Sequence, residues 1–421
     1  MNQARLLVCF AFLSSLLGPF AQAGDALVLP KPISGMNFWG AAYLGRETQD
    51  GGDRARLQME LDQLQSIGVS VIRVMALTEG PDAEPWRIAP SIQPSPGVFQ
   101  DEILKGLDFL MSELELRNMR AILCLNNFWH WSGGMAQYLK WAGESEIPYP
   151  PPHPGGDWNH YQQYTSQFYS HPIALGLARE AMKRVILRTN SLTGRPYRED
   201  PSIFAWELAN EPRGIRNRLA YLNWIQETAA WIKKLSPYLP VTTGSEGLTS
   251  NPKNSGINFV EDHSFSDIDF ATLHIWPENW GWYDPNAPET TFEESVENTL
   301  LQIREAQRLS RNLDKPWLLE EFGLARDGRG YDPNQSGTSY RDIYFQRVIA
   351  AFREESQNTH NNWMGIAFWA WGGEARPPQP GGFWKAGDPL IGDPPHEHQG
   401  WYSIFSNDQS TLDLIRDFLS I

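Results

Sequence analysis

Cysteine is scarce in this chain, which has only two cysteines in 421 residues. Cys9 lies in an N-terminal segment that we expect to be removed, so Cys124 is the only cysteine expected in the mature protein. A disulfide within the mature chain is therefore excluded. Cys124 stands in the apolar run 121–125, which predicts a buried core residue and not a nucleophile or a metal ligand.

An excess of positive charge is also lacking, since the formal net charge is −15. Nucleic acids and anionic membranes both require a basic surface, so neither is an expected partner. After the N-terminal segment, no apolar run is long enough to span a bilayer, and we expect a soluble product. No glycine-rich phosphate loop follows a strand-like run, which argues against a nucleotide, and no cofactor is expected.

The N-terminus has the features of a signal peptide. Arg5 supplies a positive start, residues 6–17 are apolar, and the small residues of the string Ala21-Gln22-Ala23 precede Gly24. This pattern predicts cleavage of residues 1–23 and export of residues 24–421 to the periplasm or the medium.

Tryptophan is abundant, with 18 residues, many of them beside glycine and proline in loop-like segments. Exposed indole rings suit the C–H faces of neutral sugars, whereas tryptophans that only fill a large core would have no such role. For any single tryptophan, composition leaves both interpretations open.

Short apolar runs alternate with segments of helical periodicity along the chain. The strand-like runs are 33–39, 69–76, 120–127, 203–210, 240–245, 268–276, 317–322 and 365–371. The helical segments include 54–67, 102–119, 174–189, 219–235, 292–309 and 340–352. Eight alternating pairs predict one α/β domain, a single (β/α)8 TIM barrel with elaborated loops, and a doubly wound open sheet is the alternative.

Two glutamates stand where an apolar run meets a turn. Glu211 closes the fourth run in the string Asn-Glu-Pro, and Glu321 closes the seventh in Glu-Glu-Phe-Gly. The carboxyl ends of barrel strands form one mouth, so these two acids are expected to face each other across a pocket. A nucleophile and a general acid/base about 5 to 5.5 Å apart are what a retaining glycosidase requires.

Each acid has a neighbour that could replace it. Side chains alternate faces in a regular strand, so only one of Glu320 and Glu321 can point inward, and Glu321 is nearer the strand end. Glu207 is expected to lie deeper than Glu211, where a cation such as Arg73 would offset its burial. We interpret Glu207 as structural.

The chain resembles glycoside hydrolase family 5, a clan A family of retaining barrel enzymes, and within it the β-mannanase and β-mannosidase branch. The resemblance rests on the strings Gly-Met-Asn-Phe-Trp at 35–39 and Asn-Asn-Phe-Trp at 126–129, on both glutamate strings, and on Phe-Trp-Ala-Trp at 368–371. The segment 188–213 looks particularly like the mannan-degrading branch. The resemblance implies cleavage of β-1,4-mannosidic bonds, with Glu211 as acid/base and Glu321 as nucleophile.

The resemblance also implies supporting roles. Arg73 matches an arginine that binds the nucleophile and would keep Glu321 ionised. Asn210 matches an asparagine that holds the sugar 2-hydroxyl, and His274 matches a histidine on the sixth strand. Without the resemblance, a buried core histidine would be the better interpretation of His274.

Five tryptophans are candidates for the substrate site. Trp369 matches the floor under the sugar being cleaved and Trp129 an aromatic platform for a neighbouring sugar, while Trp371, by alternation, would widen the platform and Trp39 would add to the wall. Trp276 stands where the family usually has tyrosine. An indole can donate a hydrogen bond but cannot accept one, which puts the usual contact to the nucleophile in doubt.

The mechanism implied is double displacement, in which the pKa of Glu211 is expected to be high beside the negative Glu321. The expected substrate is mannan, glucomannan or galactomannan, the expected mode is internal cutting, and the protein is expected to be a monomer. The alternatives are an exo-acting β-mannosidase, a cellulase-like clan relative and, remotely, an inactive carbohydrate-binding protein. His396 and His398 flank Glu397 in a loop, but their spacing is not that of a ligand set, so we expect surface or substrate-cleft residues there and not a metal site.

Overall fold

The structure is a computed structural model that describes residues 32–358 and 360–419. The predicted signal peptide, residues 1–23, lies outside the described residues.

Eight parallel strands form the sheet predicted from the sequence. They are β1 (Ile33–Asn37), β2 (Val71–Met75), β3 (Arg120–Cys124), β4 (Ile203–Glu207), β5 (Val241–Thr242), β6 (Ala271–Ile275), β7 (Trp317–Phe322) and β8 (Trp363–Phe368). The strand order is β5-β4-β3-β2-β1-β8-β7-β6. A parallel bridge between Thr242 and Phe270 joins the two remaining edges, so the sheet closes into a barrel and the open-sheet alternative is wrong.

Helices connect the strands and cover the barrel. The α-helices are Ala41–Leu44, Arg54–Ser66, Asp101–Leu116, Gly134–Trp141, Trp158–Thr165, Pro172–Ile186, Arg218–Leu235, Pro252–Ser255, Phe259–His263, Pro288–Leu313, Ser339–Ser356 and Gln409–Asp417. Short 3-10 helices span Thr48–Asp50, His130–Ser132, Ser166–Ser170, Tyr197–Glu199 and Asp327–Arg329, and a small second sheet pairs β9 (Trp371–Gly373) with β10 (Ile404–Phe405).

The helical periodicity buries one face of each long helix. In Asp101–Leu116, the predicted apolar stripe of Ile103, Leu107, Leu110 and Leu114 is fully buried. Each such leucine contributes about 1.5–3 kcal/mol through burial. Strands covered in this way must be apolar on both faces, which is why they read as continuous apolar runs.

An apolar cluster fills the N-terminal end of the barrel. Its members, contributed by seven of the strands or their approaches, are Ile33, Val71, Ile122, Phe204, Ala205, Phe270, Leu318 and Met364. Polar side chains occur beyond it, towards the carboxyl ends of the strands. The barrel can therefore open to a substrate only at the carboxyl end.

Cys124 is buried at the end of β3, as predicted. Within the described part of the chain, none of the helices combines the length and the apolar character needed to cross a membrane.

Candidate active site

Glu211 lies just beyond β4, in a backbone conformation that its neighbours hold in place. Its φ angle is +48°, in the left-handed region that a non-glycine residue adopts at a cost. Its N–H donates to the carbonyl of Gly244 at 2.9 Å. Three side chains fix its carboxylate: the indole of Trp129 donates to Oε2 at 2.5 Å, the indole of Trp276 lies 3.3 Å from Oε1, and His274 Nδ1 lies 2.9 Å from Oε1.

Glu321 lies at the end of β7 and is almost fully buried. The guanidinium of Arg73 donates directly to Glu321 Oε1, and His274 Nδ1 lies 3.3 Å from Oε2. Two cationic or potentially cationic groups therefore contact this carboxylate.

The two glutamates face each other across His274. One oxygen of each carboxylate and one nitrogen of His274 all lie within 4.8 Å of one another. This separation matches direct attack by one carboxylate, because an inverting enzyme needs about 6.5–9.5 Å to place a water molecule between the sugar and its base.

Glu320 also points into the barrel, contrary to the alternation argument. Its Oε2 lies 3.1 Å from His274 Nε2 and 3.8 Å from Arg73 Nε. The reason is a register shift between β6 and β7, where Leu273 pairs with Leu319 but His274 pairs with Glu321. Glu320 is the extra residue of this irregularity, so the strand is not regular here. Glu321, and not Glu320, lines the cleft.

Glu207 is structural, as predicted. It is fully buried, and both its oxygens accept hydrogen bonds of 2.6 Å from Arg73. A bidentate pair of this kind offsets the desolvation of both charges and fixes the guanidinium in the orientation that reaches Glu321.

Burial and neighbouring charges shift the pKa values of His274 and Glu321 in this cluster. Burial acts to lower the pKa of His274, but the charge of Glu321 and the hydrogen bonds to Glu211 and Glu320 raise that pKa to about 10. Burial raises the pKa of Glu321 to about 8, against the charges of His274 and Arg73 and with a further contribution from Glu211. The expectation that Arg73 keeps Glu321 ionised is therefore wrong for the free site, because burial outweighs the charge of Arg73. Near neutral pH, His274 is thus a cation and the carboxyl pair holds one proton.

The expectation of a raised pKa for Glu211 is wrong for the free site. Burial does act to raise it, but the hydrogen bond and charge of His274, with help from Arg213 and Trp129, lower the pKa of Glu211 to about 2. The expectation was wrong because it took only Glu321 into account as a neighbouring charge. The imidazolium of His274 also lies between the two acids.

A cleft of about 960 Å³ opens above the two glutamates. Trp369 and Trp129, the predicted floor and platform, both line it together with Asn210 and Trp276. The guanidinium of Arg213 lies 4.9 Å above the ring of Trp129, which fixes that indole against Glu211.

Two of the predicted tryptophans lie elsewhere. Trp371 is buried and donates from its indole to Glu60 at 3.0 Å, so its prediction as part of the platform is wrong. Alternation from Trp369 does not apply, because β8 ends at Phe368 and Trp371 begins another strand. Trp39 is also buried and donates to the carbonyl of Gly392 at 2.8 Å, behind the cleft wall and not on its surface.

Trp276 contacts the acid/base candidate. Its indole N–H points to Glu211, and its ring packs edge-on against Trp369 with centroids 5.5 Å apart. A Cβ at Gly323 would approach the Trp276 ring to 3.0 Å, which explains the glycine of the Glu-Glu-Phe-Gly string. The sequence put the family's usual contact to the nucleophile in doubt. In the structure, the indole of Trp276 donates to Glu211 instead.

Arg73, His274 and Asn210 act mainly on other protein groups. Arg73 and His274 lie beneath the cleft, buried against carboxylates. Asn210 lines the cleft, but its Oδ1 accepts from Arg73 at 2.8 Å and its Nδ2 donates to Asn127 at 3.1 Å. One N–H of its amide remains for a ligand.

Glu211, His274 and Glu321 also form the one cluster in the described residues whose donor atoms could surround a metal ion. A metal would need a neutral imidazole nitrogen, yet both nitrogens of His274 contact carboxylates and its pKa is raised to about 10. The protonated His274 and Arg73 thus supply the positive charge that these carboxylates need, and the expectation of no metal stays a prediction.

Other cleft residues were missed. Glu246 lies beyond the end of β5 and accepts two hydrogen bonds, of 2.6 and 2.7 Å, from Arg213. Trp158 packs edge-on against Trp129 with centroids 5.6 Å apart. Two signals in the sequence could have identified Glu246 and Arg213. Glu246 follows the fifth strand, and Arg213 lies two residues after Glu211.

Three comparisons with known proteins agree with this geometry. The family model described as GH family 5 beta-mannosidase-like matches residues 20–420. A mannan endo-1,4-beta-mannosidase 5 of Solanum lycopersicum is 31% identical over 335 residues, covering 75% of this chain and 73% of that protein. A mannan endo-1,4-beta-mannosidase 5 of Arabidopsis thaliana is 28% identical over 81% of this chain and 77% of that protein.

Solved structures of a glycoside hydrolase family 5 mannosidase are also similar to this chain. The glycoside hydrolase family 5 mannosidase of Rhizomucor miehei has a TM-score of 0.85 and 35% identity, covering 94% of this chain and 96% of that one. A mutant of that mannosidase in complex with mannosyl-fructose has a TM-score of 0.84 and 35% identity, covering 93% of this chain and 92% of that one.

Proposed function

Because this chain belongs to glycoside hydrolase family 5, in the β-mannosidase-like group, we propose that it hydrolyses β-1,4-mannosidic bonds of mannan-type polysaccharides by internal cutting. The observation that carries this proposal is the placement of Glu211 and Glu321 within 4.8 Å of each other above one floor, Trp369. The names of the plant relatives support mannan as the substrate and internal cutting as the mode.

The reaction proceeds by double displacement. Glu321 attacks the anomeric carbon while Glu211 gives its proton to the leaving oxygen, and a covalent glycosyl-enzyme forms. Glu211 then removes a proton from water, which attacks the anomeric carbon and frees Glu321. Arg73 holds the Glu321 carboxylate by a direct hydrogen bond to Oε1, and Trp369 supports the sugar ring.

The proton must start on Glu211, whereas burial favours Glu321 in the free site. His274 Nδ1 lies 2.9 Å from one carboxylate and 3.3 Å from the other, so a proton can pass between them through the imidazole without a change in total charge. Substrate binding removes water from both acids, and the leaving oxygen beside Glu211 is the group that needs the proton.

Activity should decline as the pH rises through about 8. The carboxyl pair holds its single proton below that value, since the raised pKa of Glu321 is about 8, and the pair loses the proton above it. A pH profile of kcat/KM on mannohexaose measures this. A profile that stays flat to pH 10 would contradict the claim that the carboxyl pair shares one proton and loses it above about pH 8.

A second mode, removal of single sugars from chain ends, is favoured by one contact. The ring of His396, in the loop after β8, lies 5.0 Å from that of His130 in the loop after β3. In the barrel, β1 and β2 lie between those strands, so this contact covers the mouth on their side. A mouth that is covered on one side stops a polymer from passing in that direction, so that side would receive the end of a chain.

Product analysis separates the two modes. Internal cutting of mannan gives a ladder of oligosaccharides from the earliest time points, whereas chain-end action gives mannose alone. Chromatography of an early time course on mannan and on mannohexaose distinguishes them, with a Glu321→Ala variant as the control for contaminating activity. No product from any mannan would contradict the proposed function.

We also propose that the protein is exported and acts as a monomer on plain mannan, glucomannan or galactomannan. The signal-like sequence of residues 1–23 supports export. N-terminal sequencing of the protein recovered outside the cytoplasm should begin at Gly24.

A further inference from the structure

The string His396-Glu397-His398 is a sequence feature that the reaction does not use. It lies in the long loop between β9 and β10, and all three side chains line the cleft together with Glu211 and Glu321. The two histidines have separate environments: His396 packs on His130, whereas His398 stacks on Phe383 with centroids 4.8 Å apart.

Glu397 has a carboxyl oxygen with no function inside the protein. Its Oε2 is buried and has no hydrogen-bond partner among residues 32–358 and 360–419. A buried acceptor without a partner costs about 1–3 kcal/mol. Such an atom at the edge of a substrate cleft indicates a partner that arrives with the ligand.

The backbone around Glu397 is held rigidly without using its carboxyl. The amide of Gln399 donates to the carbonyls of Asp393, Pro394 and Glu397 at 3.1, 3.0 and 3.3 Å. The N–H of Glu397 donates to the carbonyl of Pro394 at 2.9 Å. The carboxyl is therefore positioned before any ligand binds, as a specific binding group requires.

The electrostatic surroundings of Glu397 are unfavourable for an isolated carboxylate. Burial and the charges of Asp393, Glu321, Glu211 and Glu278 raise the pKa of Glu397 well above its ordinary value. The same negative charges would repel an anionic ligand, so the group suits a neutral one with hydroxyl donors.

We propose that Glu397 is a specificity-determining residue whose carboxyl binds hydroxyl groups of a mannosyl unit in the cleft. This inference rests on the proposed function, because it names a further contact to the same substrate. A sugar hydroxyl can donate to a carboxyl oxygen, and it can accept from the carboxyl when that is protonated, so the interaction exists in both protonation states. A sugar whose hydroxyls at this position are substituted would be excluded.

The test compares Glu397→Ala and Glu397→Gln with the wild type in steady-state kinetics on mannohexaose. We expect Glu397→Ala to lower kcat/KM by about 10- to 100-fold, mainly through a higher KM, as the loss of a hydrogen bond to an ionisable group predicts. Glu397→Gln keeps one oxygen that can accept a hydrogen bond, so its kcat/KM should lie between those of the wild type and Glu397→Ala. Glu374→Ala is the matched control, since Glu374 is exposed and its Oε1 accepts from Gln63 at 2.6 Å outside the cleft.

A thermal unfolding midpoint for each variant separates binding from folding. Glu397→Ala should unfold at the same temperature as the wild type or higher, because it removes a buried carboxyl that lacks a partner. A folded Glu397→Ala variant with unchanged KM would overturn this inference while leaving the proposed function intact. A wild-type protein that cleaves no mannoside would overturn the proposed function itself.

Discussion

Glu321→Ala should abolish hydrolysis of mannan and of mannohexaose. Without the carboxylate, no glycosyl-enzyme can form, and the expected loss in kcat is roughly 10⁴- to 10⁶-fold, the size seen when a covalent nucleophile is removed. The variant should still fold, because Arg73 retains its bidentate pair with Glu207. Reducing-sugar release measures the loss, and the thermal unfolding midpoint checks the fold.

Glu320→Ala is the informative companion of that variant. Glu320 touches His274 and lies 3.8 Å from Arg73, but it does not line the cleft. Its loss should shift the pH profile by removing a hydrogen bond that helps to raise the pKa of His274, while a large part of kcat remains. If Glu320→Ala abolished turnover and Glu321→Ala spared it, the assignment of the nucleophile would be wrong.

Glu211→Ala should separate the two steps of the reaction. With mannohexaose, whose leaving group needs a proton, we expect turnover to fall by about 10²- to 10⁴-fold. With a dinitrophenyl β-mannoside, the leaving group departs without protonation, so the intermediate should form quickly and then decay slowly. Stopped-flow kinetics should therefore show a burst of dinitrophenolate followed by slow turnover.

Azide provides the control for this variant. A small anion needs no general base, so azide should accelerate turnover of the dinitrophenyl substrate by Glu211→Ala and give a β-mannosyl azide. Wild-type enzyme should not be accelerated in the same way. Equal losses on good and poor leaving groups, without rescue by azide, would contradict the role given to Glu211.

The barrel could be predicted from the sequence because its pattern is strong. Each strand is buried on both faces, so it reads as an apolar run, and the helices between strands repeat their apolar stripe. The strand bounds were predicted too long, as with 203–210 for β4 (Ile203–Glu207). Beyond Glu207 the chain keeps single backbone contacts to its neighbours, such as the parallel bridge between Asn127 and Asn210, and it carries Asn210 and Glu211 to the mouth of the barrel. The pattern of hydrophobicity does not reveal where the regular strand ends.

The errors at the site have local causes. Alternation failed for Glu320 because of the register shift between β6 and β7, and it failed for Trp371 because β8 had already ended. The pKa of Glu211 was misjudged because the charge that lowers it belongs to His274, 63 residues further along the chain. Such cross-strand effects depend on which side chains meet, and a single sequence does not contain that information.

The role of the long loops could not be predicted either. The string His396-Glu397-His398 was expected at the surface or in the substrate cleft, and the sequence did not decide between the two. The structure places it at the cleft, where His396 packs against His130 and Trp158. Loop length alone does not say which strand ends a loop covers.

The central claim is that Glu211 and Glu321 act directly on one sugar, without a water molecule between the nucleophile and the anomeric carbon. Proton NMR of the first mannose-containing product, recorded before mutarotation during hydrolysis of an aryl β-mannoside, tests it most directly. Two successive displacements predict that the β anomer appears first and the α anomer only later. Initial release of the α anomer would contradict the account.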